Sequence, residues 1–177
     1  MSKKILLIAL CGVLLFGITG CGNESQSNNT KNDSTSQNNN EENNLVLTCT
    51  NSEQHNYIHT DTTLTFNFQN STLNKIEWKD VDTPEKDWWE QNWSSKEDEY
   101  LQIIEEQQQG CFENIPSVEY NVSLEDSVTT IIRTYEVNEN NQEELEKDTL
   151  LYNNIKDIHN DYSKIKEYYE NEGYTCK

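Results

Sequence analysis

Alternation between apolar and polar positions dominates the middle of the chain. Leu45-Val46-Leu47-Thr48-Cys49-Thr50 is rich in β-formers and reads as a first strand. Further on, Ile58, Thr60, Thr62, Leu64, Phe66 and Phe68 occupy one parity, with His59, Asp61, Thr65 and Asn67 on the other. A period of two lays one row of side chains on a core and the other in water. The turn Gln69-Asn70-Ser71 leads into residues 73–81, where Ile76 and Trp78 share a face, so a hairpin is expected. Ile115, Val118, Tyr120, Val122 and Leu124 begin a second alternating stretch, with Glu119, Asn121, Ser123 and Glu125 outward. Residues 128–137 follow as its hairpin partner, and residues 138–142 form a polar loop.

Between and after these strands the period changes to that of a helix. Thr83-Pro84 predicts a helix start, with Thr83 as N-cap and Pro84 in the first helical position. Trp89, Trp93, Tyr100, Ile103 and Ile104 fall within an arc of roughly 100° at 3.6 residues per turn. Ser94-Ser95 is placed to interrupt and recap this helix, and Gly110 to end it. Leu151, Ile155, Ile158, Tyr162, Ile165 and Tyr169 form a second apolar stripe, broken near Asn160-Asp161, which can cap a further helix. Gly173 fits the position just past its end. The order predicts an α+β domain over residues 45–177: an antiparallel β-sheet of two hairpin-type strand groups, with helices packed on one face.

The N-terminal part follows neither period. Met1-Ser2-Lys3-Lys4 is basic, and the apolar run 5–18 is shorter than the roughly 20 residues a membrane span needs. It matches a signal-peptide core. The run ends in Ile18-Thr19-Gly20-Cys21, the pattern of a bacterial lipobox. Residues 1–20 are therefore expected to be a lipoprotein signal peptide, with Cys21 the lipidated residue that anchors the chain to a membrane. Residues 22–44 are almost entirely Asn, Ser, Gln, Thr and charged residues with no apolar side chain, so they cannot bury area to offset ordering entropy and read as a tether.

Thirty-two acidic residues against 13 basic ones give a formal charge of −19. Such a chain repels phosphate backbones, so no nucleic-acid partner is expected. Mean hydropathy of −0.94 excludes a multi-spanning membrane protein. His55 and His59 have a spacing that suits a metal on a helix, but they fall in a predicted loop and strand, so no metal site is expected. Neither a phosphate loop, a dinucleotide fingerprint nor a Gly-x-Ser-x-Gly elbow occurs, so no cofactor and no catalytic residue is assigned. Glu97-Asp98-Glu99 and Glu105-Glu106 read as a solvated helix face.

The lipobox, Leu47-Thr48-Cys49-Thr50 at the start of the domain and Glu172-Gly173-Tyr174-Thr175-Cys176-Lys177 at its end are similar to small Gram-positive lipoproteins of the YehR-like family. That resemblance implies an α+β lipoprotein domain of unassigned activity and carries over no catalytic residue. Cys111 and the Trp-rich helix depart from it. Once Cys11 leaves with the signal peptide and Cys21 is acylated, Cys49, Cys111 and Cys176 remain. Three thiols allow three single bridges or none; Cys49–Cys176 closes the longest loop and is the expected pair. Trp88 lies about 100° outside the apolar arc, so it either flanks the core or is a partially exposed aromatic anchor for a partner, and it is the candidate binding residue.

The expected role is a binding or interaction module on the outer face of a Gram-positive-type cytoplasmic membrane, taking a protein, peptide or wall ligand. The alternative is an extracytoplasmic enzyme using carboxylates. A buried carboxylate pair in a cleft would favour the enzyme, and a smooth acidic surface with one apolar patch would favour binding.

Overall fold

Three two-residue turns shape the sheet of the computed structural model, which describes residues 44–177. β1 (Asn44–His55) turns at Asn56-Tyr57 into β2 (Ile58–Gln69), which turns at Asn70-Ser71 into β3 (Thr72–Pro84). β4 (Val118–Glu125) turns at Asp126-Ser127 into β5 (Val128–Glu136). Asn70 and Ser71 have φ of 51° and 66°, and Asp126 and Ser127 have 49° and 70°. Positive φ at both central positions matches the right-handed twist of paired strands, and short polar residues tolerate it best.

A six-stranded antiparallel sheet results, ordered β4-β5-β3-β2-β1-β6, where β6 is Thr175–Cys176. Helices α1 (Lys86–Asn92) and α2 (Glu97–Phe112) connect the two hairpin groups. After β5 come α3 (Gln142–Leu145), α4 (Tyr152–Ile155) and α5 (Tyr162–Asn171). Among the described residues no helix is long and apolar enough to cross a membrane.

Register turns the alternating sequence into rows across the buried face. Leu47, Phe66, Ile76, Tyr135 and Val118 lie in one row, and all five are buried. They join Ile155, Ile165 and Tyr169 in the larger apolar cluster, with the Phe66 and Tyr169 rings 5.3 Å apart. Trp89, Tyr100, Ile104 and Ile131 form a second cluster under α1 and α2. The opposite face carries Thr48, Thr65, Glu77, Thr134 and Glu119 in register.

Local signals hold at the C-terminal end. Asp161 caps α5, its carboxylate accepting from the Lys164 N–H at 3.1 Å. Gly173 takes φ of +91°, while Tyr174 N–H donates to Tyr169 O and Gly173 N–H to Glu170 O, which is a Schellman closure.

Several helix bounds differ from expectation. Thr83 and Pro84 belong to β3, and α1 begins at Lys86 after Glu85. Proline is tolerated there because β5 pairs with β3 only as far as Asp82, leaving Pro84 one open flank. The Glu85 N–H is held instead by the Tyr57 carbonyl at 2.7 Å. Ser94 and Ser95 fall in the break between α1 and α2, but Lys96 precedes α2 and no side chain caps it. Gly110 lies inside α2, which runs on because Phe112 is buried; a Cβ at Gly110 would meet only open space. The stripe from Leu151 is one short helix and turns, because the buried Asp148 carboxylate takes the N–H groups of Leu150, Leu151 and Tyr152.

Candidate functional site

The apolar rows of the buried face give way to polar ones toward the β1–β2 turn. Asn51, Thr62 and Asp80 form one row, continued by Ile131 and Val122. Glu53, Thr60 and Asp82 form the next, continued by Thr129 and Leu124. On β5 and β4 these rows sit with the second apolar cluster, whereas on β1, β2 and β3 they leave a polar quadrant. Tyr100 borders it on one side, close enough for the Asp82 charge to act on its phenol. Tyr174 borders it on the other, with Asp80 and Glu53 as charged neighbours.

Two hydrogen-bonded lines run through the quadrant. Along β1, Asn51 Nδ2 donates to Glu53 Oε1 at 2.9 Å, and His55 Nε2 lies 2.8 Å from Glu53 Oε2. Along β3, Asp80 Oδ1 accepts from Thr62 Oγ1 at 2.7 Å and from the Trp78 indole at 2.8 Å. Asp80 Oδ2 pairs with Arg133 Nη1 at 2.6 Å. Arg133 in turn donates through Nε to Gln108 at 2.7 Å, and its guanidinium carbon stands 4.2 Å over the Trp78 ring. Asp80 and Arg133 are thus a satisfied, buried pair.

Asp82 differs from Asp80 although both face the same way two residues apart. It is 6% exposed, and its Oδ1 accepts from Thr60 Oγ1 at 2.6 Å. Burial raises its pKa above the usual carboxylate range; the Thr60 hydrogen bond opposes this and the Asp80 charge adds to it. Burial also pushes the Tyr174 phenol up to about 12, with the Asp80 and Glu53 charges adding. A group whose pKa is higher folded than unfolded supports the fold while protonated and loses that support as pH rises through the folded value. Asp82→Asn should therefore raise the urea midpoint at neutral pH, and the two curves should converge once pH falls below about 4, the unfolded carboxyl range. Parallel curves across pH would contradict the assignment.

Of the residues expected to matter, Trp88 stands at the turn end of the quadrant. It is half-buried against the second cluster and stacks on Tyr57, centroids 6.0 Å apart and planes at 11°. Trp89 is buried edge-on to Tyr100 at 5.0 Å, and Trp93 leans on Tyr100 at 5.2 Å while remaining half-buried. Trp89→Ala should cost about 3–5 kcal/mol, as large aromatic truncations in cores do, and Trp88→Ala clearly less. Urea melts of both check the order, and equal losses would refute it.

Cys49 and Cys176 form a disulfide, opposite each other where β6 pairs with β1. Cys111 is outside that bridge on α2. Cys21 lies outside the described residues. His55 and His59 diverge: His55 Nε2 meets Glu53, while His59 Nε2 faces Asp61 at 3.3 Å on the other side of the sheet. Among the described residues no group of three His, Cys, Asp or Glu could hold a metal ion.

Asp80, Asp82 and Arg133 were not singled out from the sequence. Their signal was parity: Asp80 and Asp82 continue the inward row of Ile76 and Trp78, and Arg133, the only arginine, shares the parity of Ile131 and Tyr135. A depression of about 440 Å³ lies where β6 meets β1 and β2; hydroxyls such as Thr50, Thr63 and Thr175 line it, and Asn51 and Thr62 of the quadrant border it. Its carboxylate, Asp61, already accepts from Ser52, and that bond lowers its pKa.

No family model matches the chain, and no curated protein matches it. The chain is similar in fold to a solved protein from Streptococcus pneumoniae TIGR4, at 11% identity and a TM-score of 0.47, covering 89% of this chain and 100% of that one.

Proposed function

We propose that this chain is an extracytoplasmic lipoprotein, anchored through acylated Cys21 on the outer face of a Gram-positive-type membrane, that works as a binding module. The observation that carries the binding role is the polar quadrant: hydroxyls, carboxyls and an imidazole on rigid strands, edged by Tyr174 and the Tyr57–Trp88 stack. Convergent polar groups with aromatic edges suit a ligand that has both hydrogen-bonding and apolar faces. The lipobox and the tether of residues 22–44 supply the anchor and the reach. The resemblance to YehR-like lipoproteins agrees with this setting.

One observation favours a second reading, an enzyme using carboxylates. Asp80, held in an ion pair, and Asp82, with its raised pKa, share one face. Binding is preferred because Asp80 is spent on Arg133, Thr62 and Trp78, which leaves one carboxyl rather than a working pair.

Mass spectrometry of membrane-extracted protein should find a diacylglyceryl group on Cys21 and no residues 1–20. The mature lipoprotein in detergent micelles should also sediment with isolated cell walls, and Thr60→Val with Asp82→Asn should abolish this while Glu99→Gln on the solvated face of α2 does not. An unmodified soluble form would overturn the anchor, and sedimentation untouched by the double change would overturn the site.

A further inference from the structure

We infer that the open edge of β4 docks an extended basic segment of a partner protein, which joins the six-stranded sheet as a further strand. The two edges of the sheet are finished differently. At one end β1 is covered at Cys49 and Thr50 by β6, a strand of two residues pinned by the disulfide. At the other end β4 runs for eight residues in unbroken register with β5 and has no strand on its outer side among the described residues. Proteins blunt such edges with proline, lysine, a bulge or a short strand. β4 has neither proline nor lysine, shows no register shift, and is longer than most strands.

The turn decides which backbone groups face outward. Asp126-Ser127 is a two-residue turn, so Glu125 and Val128 exchange both backbone bonds, and alternation commits Ser123, Asn121 and Glu119 to β5 as well. The N–H and C=O groups of Leu124, Val122 and Tyr120 therefore point away from β5. Val118, next in that series, agrees, because its N–H donates to the Ile115 carbonyl. The side chains of the same three residues form an apolar row on the helix side of the sheet. Tyr120 is 37% exposed with the Phe112 ring 6.4 Å away, and Val122 and Leu124 are half-buried. An added strand covers this row with every second side chain. On the other face the edge presents Glu119, Asn121, Ser123 and Glu125, all exposed, with Asp126 beside them in the turn. Charge selects the occupant. A second copy brings like charge to a chain of formal charge −19, whereas lysines opposite Glu119 and Glu125 make favourable cross-strand pairs.

Fluorescence anisotropy on the mature lipoprotein in micelles, at about 0.15 M salt to screen long-range attraction, tests this with three labelled peptides. The first is end-blocked Lys-Val-Thr-Val-Thr-Val-Lys, the second is the same peptide N-methylated at its valines, and the third has glutamate for both lysines. The first should bind about tenfold or more tightly than either control. Glu119→Lys with Glu125→Lys should weaken it about as much, and so should Val122→Pro, which removes one outward N–H and spares the β5 ladder. Urea midpoints show whether these variants fold; if Val122→Pro does not, the N-methylated peptide puts the same question to the unaltered chain. Equal binding of the plain and N-methylated peptides would mean charge attraction without strand addition and would overturn the proposal. Binding indifferent to the paired lysine substitutions, or no binding, would overturn it too. Sedimentation equilibrium in density-matched micelles should find one chain per particle, and a dimer that the first peptide competes apart would give the edge to a second copy instead.

Discussion

Arg133→Ala is expected to cost about 3–5 kcal/mol, because breaking a buried pair leaves an uncompensated charge inside the fold. Arg133 is 5% exposed and Asp80 8%, so water reaches neither freely. The substitution removes the Asp80 and Gln108 bonds together and uncovers the Trp78 ring. Arg133→Lys should recover only part of the loss, since a single ammonium cannot serve two partners set by a planar fork. Replacing both members, as Arg133→Met with Asp80→Asn, should cost less than Arg133→Ala alone, because the stranded charge is gone. Urea denaturation followed by circular dichroism measures all three. A loss under about 1 kcal/mol for Arg133→Ala would show that Asp80 is rehydrated and the pair is not an enclosed one.

Reducing the Cys49–Cys176 disulfide should cost about 5 kcal/mol by the chain-entropy estimate for a loop of this size, the cysteines being 127 residues apart. The effect in the native state is local. β6 is two residues long, and apart from the bridge it is held to β1 by few bonds, including the Thr48–Lys177 pair at 3.0 and 2.9 Å. Tyr174 precedes β6, so loosening the strand also loosens one border of the polar quadrant. Melts with and without reductant, and of Cys176→Ser, should show the same drop. Unchanged midpoints would mean that the packing of Ile165 and Tyr169 holds the end of the chain without the bridge.

Much of the fold was legible because its signals are local. The alternation from Ile58 to Phe68 names the buried row of β2 residue by residue, and Asn70-Ser71 and Asp126-Ser127 are short polar residues that accept positive φ. The helix start misread at Thr83-Pro84 shows the limit of such signals: strand pairing with Ile58 and the Tyr57 carbonyl outweighed a local capping preference. The interruption expected at Ser94-Ser95 does separate two helices, and their aromatic rings meet on Tyr100 across the break.

Sequence alone therefore determined the alternating strands β2 to β5, the Asn70-Ser71 turn, the Asp161 cap and the Gly173 closure, since each depends on residues within a few positions of one another. It also determined which parity of β2, β3 and β4 faces inward. Tertiary structure alone decided the rest. β6 is too short to show any period, and its place beside β1 depends on Cys49 meeting Cys176. The pairing of Asp80 with Arg133 joins residues 53 apart and exists only because β3 and β5 are neighbours in one register. The polar quadrant likewise arises from register, which sets Glu53, Thr60 and Asp82 side by side, and from the helices that cover the β5 and β4 ends of the same rows but not the β1 end. No local period carries that information, because a row across a sheet is written one residue at a time in distant parts of the chain.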